Sequence, residues 1–176
     1  SHESEILALS TGSVDAGDIT LTASNILLSG NNEEEPAVSS FAASEGNAGS
    51  ITLRASDGLV YIEDDAVVES SSYGVISLFG SGLGRAGSIN IEGASIIVDG
   101  SDLRSSTYAT SQNDSSPDTD GITLTQSGNG DSVINPYESG LLSNGVHLIN
   151  DSSIQAATFA SHPSLTGQPE EAGVQN

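Results

Sequence analysis

The chain contains no cysteine, methionine, tryptophan or lysine. Without cysteine it has no disulfide and no thiolate chemistry. Its only cations are Arg54, Arg85 and Arg104, set against 24 acidic residues, for a formal net charge of −21. Phosphate neutralisation needs clustered basic side chains, so nucleic acid is excluded as a partner. An anionic membrane surface is disfavoured for the same reason. Long apolar runs are also missing, and nothing approaches the roughly 20 residues of a membrane span. Aromatic residues make up 4% of the sequence and hydrophobic residues 35%, so any core must be narrow and built from small layers.

What is present is a repeat. Gly17-Asp18-Ile19-Thr20-Leu21 returns as Gly49-Ser50-Ile51-Thr52-Leu53, as Gly87-Ser88-Ile89-Asn90-Ile91, and as Gly121-Ile122-Thr123-Leu124. The leading glycines recur at intervals of 32, 38 and 34 residues, and each opens an apolar–polar alternation of period two. A second apolar stretch follows in each unit: Ile26-Leu27-Leu28, Leu59-Val60-Tyr61-Ile62, Ile96-Ile97-Val98 and Val146-His147-Leu148-Ile149. Polar corners of Ser29-Gly30, Glu63-Asp64, Asp99-Gly100 and Asn150-Asp151 come next. A third stretch closes each unit with a hydroxyl residue ahead of an aromatic, at Phe41, Tyr73, Tyr108 and Phe159.

Three short strands per unit, about four full turns in all, predict an all-β parallel β-helix whose turns stack about 4.8 Å apart. It forms a single domain over residues 1–162, with a corner loop inserted at about 126–145 and a polar tail at 163–176. Smaller corner insertions are expected at Asn31–Pro36, Gly74–Ala86 and Thr110–Asp120. The expected core ladder has Ile19, Ile51, Ile89 and Ile122 in one column and Leu21, Leu53, Ile91 and Leu124 in the next.

The run from Gly46 to Leu53, followed by an apolar strand, an acidic or Asn/Gly corner and a Ser-Ser-aromatic close, resembles the filamentous-haemagglutinin-like exoproteins of two-partner secretion, cyanobacterial type. The resemblance covers about residues 13–161. It implies a right-handed coil, export, and a role at the bacterial cell surface or in the extracellular medium. The start at Ser1 without Met reads as a processed or excised piece of an exported protein.

No amphipathic helix stands at either end to cover unpaired strand edges. Either loops or tails cap the coil, or its ends meet other copies head to tail, which gives a homopolymer. The leading expectation is therefore a structural module of a surface filament or sheath. The alternative is an adhesin that binds surface glycan through its corner loops and the column Phe41, Tyr73, Tyr108 and Phe159. Glu63, Asp64, Asp65, Asp99, Asp102 and Asp151 fall near one corner in successive turns, which leaves Ca²⁺ as the one cofactor to consider. Gly128-Asn129-Gly130-Asp131 is a single fragment of a calcium-binding nonapeptide, a site that needs tandem copies. No catalytic residue is assigned. His2, His147 and His162 form no constellation, and the charges of Arg54 and Glu92 break a threonine array that could otherwise face ice.

Overall fold

The computed structural model of the chain describes residues 5–30, 37–43, 46–73, 84–109, 121–127, 133–134, 141–142 and 145–160. The strands are β1 (Ile6–Ser10), β2 (Ile19–Thr22), β3 (Ile26–Ser29), β4 (Val38–Ala42), β5 (Ile51–Glu63), β6 (Val67–Tyr73), β7 (Ile89–Asp99), β8 (Asp102–Ala109), β9 (Ile122–Gln126), β10 (Val133–Ile134), β11 (Leu141–Leu142), β12 (Gly145–Ile149) and β13 (Ser153–Ala160). No helix occurs among the described residues. The chain passes repeatedly between two parallel sheets. The first sheet has the order β1-β4-β6-β8-β13; the second layers β2 and β3, then β5, then β7, then β9 and β12. Strands β10 and β11 pair antiparallel, inside the stretch read from sequence as an inserted loop. The tail at 163–176, the expected insertions at 31–36 and 110–120, residues 74–83 of the one expected at 74–86, and the segment 128–131 lie outside the described residues.

The period-two pattern sets which side chains enter the core. Ile19, Ile51, Ile89 and Ile122 are in register across four layers, as are Leu21, Leu53, Ile91 and Leu124. In the first sheet the matching inward column is Ile6, Val38, Val68, Leu103 and Ile154. Both inner faces contribute to one apolar cluster, within which Ile51, Leu53, Val68, Ile89 and Leu103 are wholly buried. Each such side chain stabilises the stack by about 1.5–3 kcal/mol.

The strand count per repeat differs from expectation in the middle of the chain. There the first and second stretches merge into single strands of 13 residues (β5) and 11 residues (β7). The extra residues Ser56-Asp57-Gly58 are absorbed as an irregularity between Ala55 and Leu59, without ending the strand. In the preceding repeat the stretches stay separate. There Asn25 Oδ1 accepts the Leu59 N–H at 2.9 Å, where a continuous ladder would use a main-chain carbonyl.

Serine and glycine secure the other corner. Ser40 Oγ donates to the Gly17 carbonyl at 3.1 Å and accepts from the Gly49 N–H at 2.8 Å. Ser70 Oγ repeats the arrangement one layer on, donating to Gly49 at 3.0 Å and accepting from Gly87 at 2.8 Å. Ser105 Oγ then donates to the Gly87 carbonyl at 3.0 Å. In the two inner repeats the leading residue must be glycine for steric reasons: a Cβ on Gly49 would stand 2.2 Å from the Gly17 carbonyl oxygen, and one on Gly87 2.4 Å from that of Gly49. Alongside runs a polar ladder, with Asp15 Oδ1 accepting the Asn47 N–H at 2.7 Å and Asn47 Oδ1 accepting the Arg85 N–H at 2.8 Å.

Replacing Ser70 by Ala orphans a buried N–H and a buried carbonyl together. Each loss costs about 1–3 kcal/mol, so Ser70→Ala should lower unfolding stability by roughly 2–6 kcal/mol. Ser29→Ala, at an exposed corner, should change it by less than about 0.5 kcal/mol. Equal denaturant midpoints for the two variants would contradict the serine–glycine assignment.

Candidate functional site

On β6 and β8 the alternation sends Ser72 and Thr107 inward. Ser72 Oγ donates to the Gly46 carbonyl at 3.2 Å, and Thr107 Oγ1 accepts from the Ala86 N–H at 2.9 Å. The following residues, Tyr73 and Tyr108, therefore face outward in register. Their rings stack with centroids 4.2 Å apart and planes 13° from parallel. Tyr73 remains 39% exposed, and Tyr108 is half-buried.

Phe41 belongs to this group but not to its register. The strand pairing places it opposite Ser71, two residues short of Tyr73. Its ring reaches Tyr73 diagonally, with centroids 5.0 Å apart and planes tilted by 43°. Phe159 pairs with Tyr108 along the backbone; its side chain lies outside the described residues. Next to the rings, Ser71 is wholly buried and its Oγ has no hydrogen-bond partner. Further along the same face Glu69 and Arg104 are in register, and Arg104 is paired with Asp102 of its own strand.

The Tyr73 phenol is pushed well above the ordinary tyrosine range. Burial is the main cause, followed by its hydrogen bond with Tyr108 and the nearby Glu69 charge, while Arg104 acts in the opposite sense. The two rings therefore present a neutral, hydroxyl-bearing aromatic patch beside the charged Glu69 and Arg104, chemistry that suits the apolar face of a sugar ring.

The acidic corner is built differently. Asp64, Asp65, Asn150 and Asp151 all adopt the left-handed region, with φ of 56°, 60°, 51° and 62°. Asx side chains tolerate this conformation where a β-branched residue would not. Asp99 is engaged by the Asn150 amide at 2.7 Å and by the Tyr61 hydroxyl at 3.1 Å. Asp102 is held by Arg104 and by the Ser153 hydroxyl at 2.5 Å, and Asp64 accepts from Ser29 Oγ at 3.1 Å. Among the described residues no three carboxylates or imidazoles converge on a point that could hold a metal ion. The six residues named from sequence share a corner without forming a calcium cage.

The remaining charged candidates are also engaged. Arg54 pairs with Glu92 at 2.8 Å across adjacent strands of the second sheet. His147 lies in register with Ile97, in an outward column with Leu27 and Tyr61; His2 and His162 lie outside the described residues. Sequence reasoning missed the unpaired Ser71 hydroxyl and the serine–glycine contacts. The available signal was the pair of adjacent serines, of which one must point inward.

A phenol held neutral in the folded state favours folding fully below the ordinary tyrosine value of about 10, and that contribution is lost as pH rises above it. In an alkaline absorbance titration, Tyr73→Phe should therefore leave the ionisation step near pH 10 unchanged in size. Loss of one tyrosine's worth of that step would contradict the stacked, hydrogen-bonded assignment.

No protein-family model matches the chain, and neither a curated protein nor a solved structure matches it.

Proposed function

We propose that the chain is an extracellular structural module: a right-handed parallel β-helix of about four turns, serving as subunit or shaft of a cell-surface filament or sheath. The observation that carries this reading is the course of the core columns. Val38, Val68 and Leu103 are wholly buried, while Ile6 and Ile154, the terminal members of the same column, are 40% and 41% exposed. Val146 and Leu148, which end the columns that hold the buried Ile96 and Val98, are also exposed. Apolar layers open at both ends of a repeat are completed by more of the same repeat. The Gly46–Leu53 run and the Ser-Ser-aromatic closes add the resemblance to filamentous-haemagglutinin-like exoproteins, and with it export to the cell surface. No helix among the described residues is long and apolar enough to cross a membrane.

The second reading is an adhesin, favoured by the part-exposed Tyr73–Tyr108 stack. On this reading a glycan lies across the two rings, its apolar face against them and its hydroxyls within reach of the phenols.

Negative-stain microscopy of the purified chain separates the two readings. Fibres that lengthen with protein concentration are expected. Monodisperse particles at every concentration would remove the filament reading, and glycan-array binding abolished by Tyr73→Ala and Tyr108→Ala would then establish the adhesin.

A further inference from the structure

The two ends of the stack are not equivalent, and their difference specifies a junction. The first sheet has five strands, running from β1 to β13, whereas the second has four layers. Among the described residues nothing pairs with β1 beyond β4, or with β13 beyond β8. Both edge strands run parallel to their neighbours. One copy can therefore follow another by continuing the first sheet with strand direction unchanged. A twofold contact between two β1 edges would instead be antiparallel.

Resting on the filament reading above, the geometry points to a head-to-tail junction in which β13 of one copy pairs in parallel with β1 of a second copy, Ile154 opposite Ile6. The register follows from the column Ile6, Val38, Val68, Leu103, Ile154, whose end members are open to almost the same degree, 40% and 41%. In that register Gln155 faces Leu7, Ala156 faces Ala8 and Ala157 faces Leu9. The alternative, seating β2 and β3 of one copy on β9 and β12 of another, is blocked. Because the second sheet is one layer shorter, that contact would put the β1 of one copy and the β13 of the other in the same place. The junction is made by the first sheet alone and leaves the second sheet one strand short. It is consequently a weaker plane than any inside the molecule, and filaments should break there.

The absence of cysteine makes the register directly readable by disulfide trapping. Neighbouring parallel strands lie about 4.8 Å apart, within the roughly 4.4–6.8 Å Cα separation that a disulfide spans. Leu7→Cys and Gln155→Cys, both at exposed outward positions, are prepared as separate variants, mixed at fibre-forming concentration and oxidised. The mixture should give several-fold more covalent dimer than either variant alone. The pair Leu9→Cys with Ala157→Cys repeats the test should one variant misfold. Dimers from Leu7→Cys alone would reveal a twofold contact and overturn the junction. Fibres without mixed cross-links in either pair would overturn this register while sparing the filament, and absence of fibres would remove both.

Discussion

A serine hydroxyl that holds two glycine main-chain groups one repeat apart is the constraint on which the rest of the structure depends. At Gly49 and Gly87, where the chain enters the second sheet, successive repeats come so close that a carbonyl from one layer occupies the space a Cβ would need in the next. Only glycine permits that approach, and its buried N–H and carbonyl then require partners away from the strand ladder. Ser40, Ser70 and Ser105 supply them from the opposite sheet. The two sheets are thus tied by directional bonds as well as by apolar contact, and their relative height is set layer by layer. Ser72 and Thr107 do the same beside them, and this brings the outward Tyr73 and Tyr108 face to face.

Much of this was legible because the columns are written as repeated residue types. Ile19, Ile51, Ile89 and Ile122 each follow a glycine lead by one or two positions, and period two assigns their direction. The aromatic group was less legible. Aligning hydroxyl–aromatic closes puts Phe41 beside Tyr73, but the core decides register, and Val38 pairs with Val68. Phe41 comes three residues after its valine and Tyr73 five residues after its own, so the rings meet only diagonally. The merging of stretches into β5 and β7 was hidden for another reason. Ser56-Asp57-Gly58 has turn composition, yet the strand runs through it as an irregularity, with the pairing to β7 resuming at Leu59. The carboxylates of the corner could be placed by spacing, but their occupants, Asn150, Tyr61 and Ser153, come from other repeats.

The charge distribution bears on the proposed assembly. With a net charge of −21, copies repel one another at low ionic strength, while the apolar end layers attract only at contact. Of the acidic corner residues only Asp102 meets a cation among the described residues, Arg104, so little of the corner's charge is cancelled inside the molecule. Only two of the cations, Arg54 and Arg104, are tied to acids among the described residues. Salt, which screens beyond about 8–10 Å near physiological strength, therefore favours end-to-end association without altering the layers themselves.

The most direct measurement of the layered register is a set of nuclear Overhauser contacts between isotope-labelled isoleucine methyl groups. Cross-peaks linking Ile19 to Ile51, Ile51 to Ile89 and Ile89 to Ile122, with none between Ile19 and Ile89, are the predicted result. Absence of the Ile51–Ile89 contact, or a direct Ile19–Ile89 contact, would contradict the stacking of like residues on which the fold and the proposed function rest.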